Sequence, residues 1–82
     1  MPLYMDVHTI DGVSAGEVTR AHMADLQVQA KYDVRYLRYW VNEKHGKVFC
    51  LVEAPSADAA TTVHREAHGL VADQVFEVQE GA

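Results

Sequence analysis

The chain has 82 residues, 49% hydrophobic and 23% charged, with a net charge of −5 when the histidines are neutral. That length holds one domain, residues 1–82, with a modest core, because a domain this small buries only about 60% of the surface its unfolded chain exposes. Only seven residues are Lys or Arg, which excludes a basic footprint for nucleic acid, and no apolar run approaches the ~20 residues that span a bilayer.

Met1 to Ile10 lacks the basic and then apolar pattern of a signal peptide, and the single Cys50 cannot form an intrachain disulfide. Both features point to a cytoplasmic protein in a reducing compartment. Leu3, Met5 and Val7 alternate with Tyr4, Asp6 and His8, the period of two of a half-buried strand, which Asp11-Gly12 ends as a turn. Ser14 with Glu17 forms a capping box, so a helix is predicted from about Ala15 to Lys31 or Tyr32, with an apolar stripe of Ala15, Val18, Met23, Leu26 and Ala30.

Val34 to Asn42, rich in aromatic and β-branched residues, reads as a second strand. A hairpin loop over residues 43–46, with Gly46 supplying positive φ, leads to a third strand from Lys47 to Ala54. Pro55 and Ser56 open a second helix, Ser56 as N-cap, whose stripe is Ala59, Ala60, Val63 and Ala67 and whose end is Gly69. Val75 to Gln79 is a last short strand. This order predicts an α+β, ferredoxin-like β-α-β-β-α-β sandwich, with a four-stranded antiparallel sheet and both helices on one face.

Hydrophobic alternation assigns Leu3, Met5, Val7, Leu37, Tyr39, Val41, Val48, Cys50, Val52, Phe76 and Val78 to the face under the helices. Tyr4, Asp6, His8, Tyr36, Arg38, Trp40, Phe49, Leu51, Glu53 and Glu77 are then on the open face, which is too apolar to be bare on a small monomer. Face-to-face packing in a homodimer is expected there. Its charged residues, Asp6, His8, Arg38, Glu53 and Glu77, would fix the register or line a small cleft that holds a metal or ligand.

Histidines are the chemical signal, five in 82 residues. His64 and His68 stand four apart on the second helix, so their imidazoles share one side and can chelate a divalent ion. The stripe centred on Val63 and Ala67 places them on the helix flank, accessible to solvent or to the neighbouring helix. His22, in the first helix's stripe, can face the groove between the helices, within reach of His64 or His68. Asp25 is placed to ligate or to accept from an imidazole N–H. His8 is the candidate for a second site on or near the open sheet face, and His45 is a solvated turn residue.

Known catalytic patterns do not fit. Arg65 occupies the place of the catalytic Glu in the zincin motif, and His64-Arg65-Glu66 lacks the Pro-Cys-x-x-Cys partner of zinc deaminases. There is no glycine loop for phosphate. Cys50, on the helix side of its strand, is a buried thiol and a poor nucleophile. Gly46 to Val52 does not match the RNA-stacking signature of the RRM domains that share this element order.

The segments Ala21-His22, Tyr39-Trp40, Val48-Phe49-Cys50-Leu51-Val52-Glu53-Ala54-Pro55 and Val63-His64-Arg65-Glu66-Ala67-His68-Gly69 give the chain a resemblance over its whole length. It resembles a family of small bacterial nickel-binding proteins with a dimeric ferredoxin-like fold. The resemblance implies nickel as the ion, at sites on the surface of the dimer, and a role in sequestration or detoxification. The expected function is non-catalytic nickel binding through His22, His64, His68 and His8, with a homodimer and divalent metal ions as partners, and neither nucleic acid nor membrane. The rival reading is a small monooxygenase- or isomerase-type enzyme, or a small-ligand carrier. It would use a sheet-face cleft lined by Asp6, His8, Arg38, Trp40 and Glu53, with His8 as general base.

Overall fold

Local signals place every element. In the computed structural model, which describes residues 1–81, strand β1 (Leu3–Thr9) leads to helix α1 (Ala15–Val28), a 3-10 turn (Gln29–Tyr32), strands β2 (Arg35–Asn42) and β3 (Lys47–Glu53), helix α2 (Ala57–Ala67) and strand β4 (Gln74–Val78). Ser14 Oγ accepts from the Glu17 N–H at 3.2 Å and donates to Glu17 Oε1 at 3.0 Å, so the predicted capping box starts α1. The predicted end of α1 divides in two. The α-helix stops at Val28, and the 3-10 turn carries the chain to Asp33, whose left-handed φ of 57° terminates it. Ser56 Oγ accepts from the Ala59 N–H at 3.1 Å to cap α2. Gly69 at φ +79° closes the other end, its N–H donating to His64 O at 2.9 Å.

The sheet runs β2-β3-β1-β4, every neighbouring pair antiparallel, with both helices against one face: the ferredoxin-like α+β fold. At the β3 hairpin, buried Gly46 has φ +64° and its carbonyl accepts from the Ile10 N–H at 2.8 Å. A Cβ there would lie 2.7 Å from Ile10 O, so the closure demands glycine on two counts. The core is small-grained: Val13, Val18, Val34, Val48, Val52, Ala54, Ala60 and Val63, with Tyr36 and Cys50.

The assignment of faces differs from the sequence reading, and the difference creates the site. Cross-strand partners share a face. The register pairs Tyr4, Asp6 and His8 with Val52, Cys50 and Val48, so the polar side of β1 faces the helices and Leu3, Met5 and Val7 face outward. Phe76 and Val78 pair with Met5 and Leu3 and are also outward. In β2 the register shifts between Tyr36 and Arg38. This bulge at Leu37 turns Tyr36 inward, whereas Tyr39 and Val41 remain inward as predicted. On α1 the predicted stripe is rotated: Met23 and Leu26 are exposed, and the buried residues are Val18 and Asp25.

Candidate metal centre

Between the helices and the sheet lies a chain of alternating imidazoles and carboxylates. β1 supplies Asp6 and His8, α1 supplies Asp25, and α2 supplies His64 and, one turn later at its C-cap, His68. His64, only 2% exposed, is the hub. Its Nδ1 donates to Asp25 Oδ1 at 2.9 Å and its Nε2 to Asp6 Oδ2 at 2.9 Å. His68 Nε2 donates to the same Asp25 oxygen at 3.0 Å, and His8 Nε2 reaches Asp6 Oδ1 at 3.1 Å. The Tyr36 hydroxyl donates to Asp6 Oδ2 at 3.0 Å and approaches Ala60 O at 3.1 Å. Among the described residues, no buried side-chain N or O atom lacks a partner.

This geometry fixes the protons. Ionised carboxylates only accept, so His64, with an oxygen at each nitrogen, carries hydrogen on both and is an imidazolium. Burial pulls its pKa down, but the hydrogen bonds to Asp25 and Asp6 outweigh that and hold it at about 9. Burial likewise pushes Asp6 and Asp25 up, and their imidazole partners reverse the sign and hold both below the usual carboxylate range. The Leu70 N–H donates to His68 Nδ1 at 3.0 Å, which places that ring's hydrogen on Nε2, facing Asp25.

Four predicted ligands thus have definite places. His64 and His68 converge, together with Asp25, into one donor set. His64 is in the core and not on an accessible flank, because the carboxylates on both sides compensate its charge. His8 lies under the helices, not on the open face, because β1 is turned over. His22 is on the wall of the same cavity of about 80 Å³ as His8, His64 and His68, its ring packed against Tyr39 at a centroid distance of 4.9 Å. It belongs to neither of the two donor sets found among the described residues. The cleft residues of the enzyme reading are split: Asp6 and His8 are inside, whereas Arg38, Trp40 and Glu53 are on the opposite face. They do not line one cleft.

The two donor sets are Asp25, His64 and His68, and Asp6, His8, Cys50 and His64, each with its ligand atoms within 4.8 Å of one another. Neighbouring ligands of an ion with bonds of about 2.0–2.3 Å stand about 3 Å apart and opposed ones about 4 Å apart. Small side-chain shifts would therefore suffice. Imidazole, carboxylate and thiol together suit a borderline divalent ion. Sequence reasoning missed Cys50 as a donor and put Asp6 in a cleft on the open face, whereas it lies under the helices. The available signal was Asp6-x-His8 on one face of a strand, discounted because the alternate residues are more apolar.

Residues 4–78 match the profile of a family described as nickel responsive protein, SCO4226-like. Among solved structures, SCO4226 from Streptomyces coelicolor A3(2) is similar to the chain at 37% identity and a TM-score of 0.90, over 98% of this chain and 99% of that chain. No curated protein matches the chain.

Proposed function

The chain belongs to the SCO4226-like family of nickel responsive proteins, and from that premise we propose that it is a non-catalytic, cytoplasmic nickel-binding protein acting in sequestration or detoxification. The observation that carries this reading is the convergence of His64 and His68, one turn apart on α2, with Asp25 of α1 in a sheltered set. We assign these three as ligands, with His22 and His8 as further donors from the same cavity. Two carboxylates beside one imidazolium leave a negative site, and a divalent ion entering it displaces ring protons to solvent. The proposed unit is a homodimer joined through the open sheet face, where Leu37 and Trp40 line a groove of about 670 Å³ and Phe76 is also exposed.

Equilibrium dialysis against nickel tests the assignment. The His64→Ala, His68→Ala double variant should lose at least about tenfold in affinity, the scale on which metal-site residues act. His68→Ala alone, at a half-buried position, should weaken binding in a folded chain, as read by circular dichroism. Unchanged stoichiometry and affinity in both variants overturns the ligand set.

A further inference from the structure

Cys50 has no part in the set proposed above, yet its position is highly specified. It is the direct cross-strand partner of Asp6, with His8 two residues along β1 on the same inner face. His64 descends onto this patch from α2, with its Nε2 directed at Asp6 and its Nδ1 at Asp25. One ring thus serves both donor sets through different nitrogens, and the set beneath it is wholly buried and contains the only sulfur ligand of the four. Three of its four donors rise from one rigid sheet face, and the fourth is held by hydrogen bonds on both sides. That is the pre-organisation a closed four-ligand site requires.

We propose that Asp6, His8, Cys50 and His64 form a second cation subsite beneath the first, which takes a thiophilic divalent ion such as zinc or cobalt through the Cys50 sulfur. This rests on the reading that the helix-side cluster binds metal, and it specifies the chemistry of the inner half. On binding to the inner set alone, the Cys50 S–H and the His64 Nε2–H protons leave to solvent, the hydrogen that His8 Nε2 holds toward Asp6 moves to Nδ1 where Nε2 is the ligand, and sulfur and nitrogen lone pairs form the new bonds to the ion. Burial, reinforced by the Asp6 carboxylate beside it, pushes the Cys50 thiol pKa far up. A buried thiol must give up its hydrogen to ligate, which favours ions with a strong preference for thiolate.

Cobalt(II) titration of the reduced protein separates the two claims. Visible d–d bands report that the cluster binds an ion, and a near-ultraviolet sulfur-to-cobalt charge-transfer band reports Cys50. Both are expected in the wild type, and Cys50→Ser should lose the charge-transfer band while d–d bands remain. Zinc X-ray absorption on the wild type gives the same answer without a variant: one sulfur scatterer at about 2.3 Å is expected. A shell of nitrogen and oxygen alone, or d–d bands without charge transfer, overturns the thiolate subsite and leaves the outer set standing. Absence of all cobalt bands overturns both.

Discussion

The two faces of this sheet have exchanged the character that exposure would assign to them. Under the helices the sheet carries Asp6, His8 and Cys50, and on its open side Leu3, Met5, Val7, Trp40, Leu51 and Phe76. The helix-side network is costly. Removing a charged group from water carries several kcal/mol per ion, and a well-packed apolar replacement is often as stable or more so. Stability alone therefore gives no reason to place an imidazolium between two carboxylates in a core made mostly of valine and alanine. A functional site does, since perturbed titratable groups cluster where chemistry happens. The open face poses the opposite question, because its apolar surface is an asset only when something covers it.

The largest expected effect breaks the network at its hub. His64→Ala leaves Asp6 and Asp25 buried without their shared counter-charge, and urea unfolding should show a loss of about 3–5 kcal/mol. That is a large share of the stability of a domain this size, so the variant should unfold at low denaturant. Replacing Asp6, Asp25 and His64 together by apolar residues of similar volume should recover most of the loss. A cost below about 1 kcal/mol for His64→Ala would mean that the carboxylates find other partners, and that the hub is not a hub.

On the other face the expected effect is smaller and concerns association. Trp40 is 46% exposed beside Arg38 and Leu37 on the open groove, and aromatic anchors of this kind dominate interface energies. Wild type should sediment as a dimer, and Trp40→Glu should weaken dimerisation about 30-fold or more, the equivalent of about 2 kcal/mol. A wild type that stays monomeric at high concentration removes the partner from this face, and with it the explanation of its composition.

The contrast between the faces also accounts for what was legible in the sequence. Element order, both N-caps and the glycine closure of α2 depend on residues a few positions apart, and each is found where those residues place it. The faces of β3 were also legible, since Val48, Cys50 and Val52 are plainly the inner set. β1 was misread because alternation puts the more apolar side inward, and here both sides have a use. β2 was misread in part because a single bulge at Leu37 changes the parity of Tyr36, and nothing local announces a bulge. On α1, Asp25 was legible as an imidazole partner, but its burial was not. It is 2% exposed only because two imidazoles from α2, about forty residues away, compensate it. The site was thus half visible: the histidine spacing could be read, but the carboxylates that bind it into a network depend on long-range register.

The smallest expected effect is gradual, and it tests whether the hub is charged. His64 is raised from 6.5 in the unfolded chain to about 9 in the folded one. Its contribution to stability is therefore complete below about pH 6.5 and is lost as pH rises through 9. Asp6 and Asp25 are lowered from 3.8, so their contribution is complete above that value and is lost only as pH falls through their still lower folded values. Urea unfolding of the metal-free protein should therefore show a plateau between about pH 4 and 6.5. Above it the decline should steepen toward about 1.4 kcal/mol per pH unit, the limit for one proton. Above the Cys50 reference value of 9.0, the buried thiol and the Tyr36 phenol resist ionisation in the folded state alone and add to the decline, so the clean window closes there. Within it, His64→Gln should flatten the slope, because glutamine can hydrogen-bond at one end but cannot carry the charge. A wild-type profile already flat from pH 6.5 to 9 would mean that His64 gains no proton on folding. One of its nitrogens would then face a carboxylate with no hydrogen between them, and that 2.9 Å contact would have to open.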